Sequence, residues 1–200
     1  MRIAVDIDDT LNVLDRAGKA GAYIKRKNLP FHLADEYAHV FADVYDWTPD
    51  DVLEFIRDGG ITTFTDAELR PYARQVMESW KRAGDEIIVL TARMKEWFGN
   101  PERLSRDWLE KRRVPYDEIA AEVDVPDKGK YCIEHNIDIL IDDNIYACLE
   151  AQRLGVRAIL VVSKHNLARA GEVRYGGANW KQIGSAVEAI RSIIGRREAA

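Results

Sequence analysis

The stretch RIAVDIDDTL, residues 2–11, sets three aspartates into four positions directly behind an apolar run. The run reads as a buried strand. In an extended chain, residues two apart project to the same side, so Asp6 and Asp8 point together if strand geometry persists past Asp6. Burial and mutual repulsion both disfavour charge at Asp6, Asp8 and Asp9, so a fold keeps them there only where something compensates the charge.

Three more short, nearly continuous apolar runs lie downstream: EIIVLTA (86–92), IDILID (137–142) and RAILVV (157–162). That texture is expected of parallel strands covered on both faces. A weaker run, EIAAEV (118–123), makes a fifth member. Helical patterns fall between the strands. One spans 66–84, with Thr65 or Asp66 as its cap and Gly84 as its stop, and one spans 101–113, opened by Pro101 and closed ahead of Pro115. Others cover about 128–136, 145–154 and 183–194, the last anchored by Trp180. Strands alternating with helices predict an α/β fold, a doubly wound (Rossmann-like) parallel sheet with helices on both faces. The alternation breaks once, between Val13 and Thr63, where helical segments at 15–28, 33–45 and 48–60 follow one another with no strand between them. A small helical cap inserted after strand 1 is predicted there, over residues 15–64, leaving a core of residues 1–14 and 65–200.

Composition narrows the partners. The 200 residues are 46% hydrophobic and 32% charged, which suits one domain carrying an insertion. A net charge of −5 argues against a nucleic acid polymer and leaves room for a small anionic metabolite. No apolar run approaches about 18 residues, so no membrane span is expected. No basic leader precedes the strand that begins at Ile3, and Cys132 and Cys148 lack the spacing of a metal knuckle or redox pair, so a cytoplasmic protein with two buried, reduced thiols is expected. Nothing in the sequence fixes an oligomeric state, a homodimer included.

In open α/β sheets ligands bind at the carboxyl ends of the strands. There, a second strand is followed by acids, Asp142 and Asp143 in LIDDN (140–144). Carboxylates from two strands brought to one edge repel unless a cation sits among them, and an oxygen-only donor set suits Mg2+. A carboxylate beyond the metal's needs is available as a nucleophile or proton carrier.

These residues resemble a family. DIDDT (6–10) is similar to the signature of the haloacid dehalogenase superfamily, VLTAR (89–93) to its second motif, and LIDDN to its acidic fourth motif; DKGKY (127–131) offers Lys128 or Lys130 for its lysine. The motifs stand in family order across residues 2–143, with only the cap unmatched. The resemblance implies a phosphomonoester hydrolase working through an aspartyl phosphate, with Asp6 as nucleophile and Asp8 as general acid and base. It implies Mg2+ bound by the Asp6 carboxylate, the Asp8 backbone carbonyl and Asp142, with Asp143 supporting these ligands rather than joining them. Thr91 and Lys128 would hold the phosphoryl oxygens; Lys128 is preferred to Lys130 because it stands just before the helix leading to Cys132. Arg93 would be either a second phosphate contact or a solvated loop residue. TAR and IDDN are most similar to the cytosolic 5'(3')-deoxyribonucleotidase-like group, which implies a nucleoside monophosphate or a similarly small phosphorylated metabolite. Ala92 and Arg93 depart from that group's usual pair. Transfer of the phosphoryl group to an alcohol, or binding without turnover, are the alternatives on the same fold.

Other residues carry simpler expectations. Asp9 fits a turn or helix-cap residue. Phe31, His32, His39, Phe41, Tyr45, Trp47 and Phe55 fit a small core within the cap better than a base-stacking box, and Trp97 and Phe98 fit the rim of the site.

Overall fold

The computed structural model describes residues 1–38 and 40–198. In chain order its strands are β1 (Arg2–Val5), β2 (Asn12–Val13), β3 (Glu68–Leu69), β4 (Glu86–Leu90), β5 (Glu118–Ala120), β6 (Ile139–Asp142), β7 (Arg157–Val161) and β8 (Tyr175–Gly177). Its helices are α1 (Arg16–Lys27), α2 (Phe41–Tyr45), α3 (Pro49–Phe55), α4 (Thr62–Thr65), α5 (Ala73–Arg82), α6 (Lys95–Phe98), α7 (Pro101–Lys111), α8 (Lys128–Glu134), α9 (Ile145–Arg153) and α10 (Trp180–Glu198).

Among the described residues, six strands form one sheet in the order β5-β4-β1-β6-β7-β8, and every pairing in it is parallel. β1 lies between β4 and β6, with Val5 in register with Val89 on one side and Ile141 on the other. That register brings the carboxyl ends of three strands, and so Asp6, Thr91 and Asp142, to one stretch of sheet edge.

Both faces of the sheet are covered, which is why the strand runs are apolar throughout rather than alternating. Ile3 and Val5 face Met77 and Trp80 of α5, Trp108 of α7 and Trp180, Ile183 and Val187 of α10. Ala4, Leu90 and Leu140 face α8 and α9, where Cys132 and Cys148 are buried and free, as expected of core thiols.

The expected elements shift in three places. The helix expected from residue 66 begins at Ala73, because Glu68 and Leu69 pair antiparallel with Val13 and Asn12 and Pro71 follows. The last helix starts earlier than expected, at Trp180. β8, Tyr-Gly-Gly, lacks the apolar run that marks the other strands, and only its pairing with β7 defines it.

Between β2 and β3 the helices are also shorter than the sequence suggests. α2 occupies only the end of the 33–45 segment. α3 opens on a reciprocal cap between Thr48 and Asp51, continues into a π-helical turn (Ile56–Gly60), and bends at Gly59, whose φ of 100° suits glycine. These helices share an aromatic cluster of Tyr23, Phe41, Trp47, Phe55 and Phe64, with Tyr23 and Trp47 each 5.3 Å from the Phe55 ring. The aromatic residues expected to form a core thus do so, with Phe31 and Tyr45 partly buried at its margin. His32 is exposed, and His39 lies outside the described residues. No described helix is long and apolar enough to cross a membrane.

Candidate functional site

The loop after β1 is built to hold its acids. Asp6 still donates its backbone N–H to Ile141 O at 3.0 Å, so it is fixed as the last rung of the ladder. The chain then turns tightly: Leu11 and Asn12 both donate to Ile7 O, and Asp9 adopts φ 60° with its N–H on Asn12 Oδ1. Asp9 is the turn and cap residue expected, its carboxylate accepting from Leu14 N and Arg16. Two long-range ties secure the turn. Thr10 Oγ1 is 2.9 Å from Asp143 Oδ1 and also accepts from Asp143 N, while Trp180 Nε1 donates to Thr10 O at 3.0 Å.

A cavity of about 180 Å³ opens at this edge, lined by Asp6, Asp8, Thr91, Arg93, Lys128 and Asp142, the six residues singled out by sequence, together with Asp143, Asn144 and Arg16. Lys130 lies elsewhere, on the surface near Glu134. Lys128 is 2% exposed at the start of α8, and its Nζ stands 2.8 Å from Asp6 Oδ1 and 2.7 Å from Asp142 Oδ2.

Asp6, Asp142 and Asp143 each present an oxygen within 4.8 Å of the others, and all three are buried. Burial, reinforced by the charges of Asp142, Asp143 and Asp8, pushes the Asp6 carboxyl well above its usual range even though Lys128 pulls it down. Asp142 is raised too, first by burial and then by Asp143, against the pull of Lys128. Lys128 is held charged: its burial favours the neutral amine, but Asp142 and Asp6 outweigh it. One lysine against three buried carboxylates leaves a negative pocket of hard oxygen donors. This cluster fits a divalent metal ion such as Mg2+.

The Asp8 carboxylate turns away from that cluster. Arg93 grips it through two bonds, Nε to Oδ2 at 2.8 Å and Nη2 to Oδ1 at 2.7 Å, and Asn12 Nδ2 adds a third at 2.9 Å. Burial alone would raise the Asp8 carboxyl, but Arg93, Asn12 and Arg16 more than offset it, and it is held below the ordinary carboxylate range. Arg93 is only 3% exposed, which rules out the solvated-loop reading. Its remaining Nη1 donates to Ser105 at 3.2 Å, and its guanidinium lies 5.8 and 6.0 Å from the rings of Phe64 and Phe98. Each nitrogen of the Arg93 guanidinium thus already donates within the fold, to Asp8 or to Ser105, which leaves one further N–H on each Nη.

Sequence reasoning passed over four residues. Arg16, in the first turn of α1, brings a cation to the cavity from the helical side; its place just behind the acidic motif was the available signal. Asn12, four residues after Asp8, carries the same signal, whereas Ser105 has none, because only folding brings it to Arg93. His165 has Nε2 2.9 Å from Asp143 Oδ2, and Asp143 raises its affinity for a proton despite partial burial.

No model of a known protein family matches the chain, and no curated protein matches it. Solved structures do. A predicted phosphatase from Clostridium acetobutylicum superposes with a TM-score of 0.64 at 16% identity, covering 94% of this chain and 98% of its own. CbbY from Rhodobacter sphaeroides, solved in complex with phosphate, gives 0.62 at 18% identity over 89% and 93%. A haloacid dehalogenase-like family hydrolase from Streptococcus pneumoniae gives 0.57 at 13% identity over 88% and 92%. The fold is haloacid dehalogenase-like. In a haloacid dehalogenase-like sheet, as in open α/β sheets generally, the carboxyl edge of the strands is the binding edge. The buried acids of this chain lie on that edge, at the ends of the neighbouring strands β1 and β6.

Proposed function

We propose that this chain is a Mg2+-dependent phosphomonoester hydrolase of the haloacid dehalogenase superfamily, acting through an aspartyl phosphate on Asp6. The observation that carries the reading is the buried set of Asp6, Lys128 and Asp142, held within 2.8 Å contacts where the carboxyl ends of β1 and β6 meet the start of α8. Asp6 and Asp142, with the Asp8 backbone carbonyl, would hold the ion, and Asp143 would steady them through Thr10 and His165. When bound, Mg2+ neutralises charge as one anion approaches another.

The chain's own groups account for the rest. Asp6 attacks phosphorus: the bond from Asp6 Oδ to phosphorus forms as the bond to the ester oxygen breaks, and water then releases phosphate and restores the carboxylate. Asp8 rests ionised on Arg93, so as an acid it first takes up a proton, carried in by the monoanionic form of the ester, and passes it to the leaving alcohol; as a base it then takes one from the attacking water. Arg93 aims Asp8 and favours its ionised form, the form the second half-reaction needs. Lys128 and Thr91 bind phosphoryl oxygens, Lys128 exchanging part of its hold on Asp6 for the incoming anion. Residues 15–64 act as a cap over a core of 1–14 and 65–200, admitting small phosphorylated metabolites of a cytoplasmic pool. A nucleoside monophosphate, suggested by TAR and IDDN, is the first member to assay.

The test is phosphate release with Mg2+ from nucleotides, sugar phosphates and acetyl phosphate, with Asp6→Asn as the blank. Release that vanishes in the variant supports the reading. Mg2+ binding without any turnover would leave a binding protein instead, and phosphate passed mainly to an added alcohol would make the chain a phosphotransferase.

A further inference from the structure

Beside the acid cavity lies a second chamber, of about 440 Å³, which shares Arg16, Phe64, Ala92 and Phe98 with it. Its walls come from two sides: Phe41, Pro49 and Val52 from the helices between β2 and β3, and Met94, Trp97 and Phe98 from the segment after β4. Among the described residues in its wall, Arg16 has the one charged side chain, and Asp9 already engages it. Among the described residues no hydroxyl, carboxylate or amide side chain lines it. Trp97, 37% exposed, stands where the chamber meets solvent.

Because the two spaces border the same four residues, the alcohol portion of an ester whose phosphoryl group reaches Asp6 is directed toward this chamber. A polyhydroxylated sugar would there lose its water to a wall whose described side chains offer only the Arg16 guanidinium and the Trp97 indole N–H as donors and no acceptor, and so would the ring N–H and C=O groups of a nucleobase. A flat hydrocarbon ring loses nothing polar, and aromatic edges at Phe41, Phe64, Trp97 and Phe98 are available to it. We propose that the substrates are monophosphates of primary alcohols carrying an uncharged, apolar aromatic group, which the chamber receives. This rests on the phosphomonoesterase reading and narrows it, away from both sugar phosphates and nucleotides.

The experiment compares 2-phenylethyl phosphate, glucose 6-phosphate and a nucleoside 5'-monophosphate, all esters of primary alcohols, so that leaving-group basicity does not decide the ranking. Acetyl phosphate, too small to reach the chamber, reports the phosphoryl chemistry alone. The expected result is kcat/KM for the phenylethyl ester about 100-fold above the other two esters. Trp97→Ala should raise KM for that ester about 10-fold and leave acetyl phosphate turnover unchanged. Val52→Thr, which keeps the side-chain shape and adds a hydroxyl, should narrow the preference in the same direction and stands in if the tryptophan variant folds poorly. Turnover of acetyl phosphate together with a preference for the sugar or nucleotide ester overturns the inference and spares the hydrolase. Absence of turnover with every substrate, acetyl phosphate included, overturns both.

Discussion

Arg93 and Asp8 form a pair in which each residue's burial is tolerable only because of the other. Two parallel N–H···O bonds join them, and Ser105 and two aromatic rings occupy the rest of the guanidinium's surroundings. Removing one partner of such a pair strands the other. Arg93→Ala should therefore cost about 3 kcal/mol of stability, read as a lower denaturation midpoint, and should also slow turnover because Asp8 loses its aim. Asp6→Asn should behave differently, losing about 1,000-fold or more in phosphate release while the chain stays folded. The acids themselves were legible in the sequence, because carboxylates directly behind an apolar run are costly enough to need a reason. Their partners were not: Ser105 and His165 are ordinary polar residues whose meaning depends on which distant group folding brings to them, Asn12 stood close in sequence but carried no mark of its bond to Asp8, and the sequence, which left Arg93 between a phosphate contact and a solvated loop residue, held no sign of its pairing with Asp8.

α8 and α9 approach so closely that a Cβ at Gly129 would stand 3.0 Å from Ala151 N and 3.2 Å from Ala151 Cα. Both contacts are backbone, which cannot swing aside. Gly129→Ala should push the two helices apart, destabilise the chain by about 1–3 kcal/mol, and lower activity through the adjacent Lys128; calorimetry and steady-state kinetics on one preparation would read both. At the opposite end of β4's entry loop, Asp85 is buried and paired with Arg191 of α10. Burial would raise its carboxyl, but Arg191 and the Met1 amine prevail and hold it below the usual range. Its contribution is thus present above the unfolded carboxyl value of about 4 and is lost as pH falls through the lower folded value. Asp85→Asn should flatten the acid limb of a stability-against-pH curve and leave a constant deficit at neutral pH. The elements that sequence located best are the central strands, whose apolar runs admit one reading. β8 and β3 were invisible because each is defined by its neighbour rather than by its own side chains, and α2 fell short of its segment because aromatic clustering, not helical periodicity, spaces those residues.

Three buried carboxylates with oxygens within 4.8 Å of one another crowd like charge at one point of the molecule, which Lys128 and His165 offset only in part. A divalent ion bound only by the folded form should raise stability by about 2.7 kcal/mol when present at about 100 times its dissociation constant. A thermal shift with Mg2+ that EDTA reverses and Asp142→Asn abolishes is the expected result; an equal shift in the variant would mean that the ion binds elsewhere. The α/β architecture was readable because alternation of strand and helix is a property of the whole chain and survives errors of several residues at each boundary.

The sheet order has a consequence for synthesis. Of the six strands in the sheet β1 is made before the others, yet it ends in the middle of the sheet, and neither neighbour exists until the chain has grown past Leu90 on one side and Asp142 on the other. Throughout that interval an apolar, pairing-competent segment has no native partner, while the aromatic helices behind it emerge with one another to pack against. Translation speed and chaperone supply should therefore govern the yield of this protein more strongly than that of one whose neighbouring strands are consecutive.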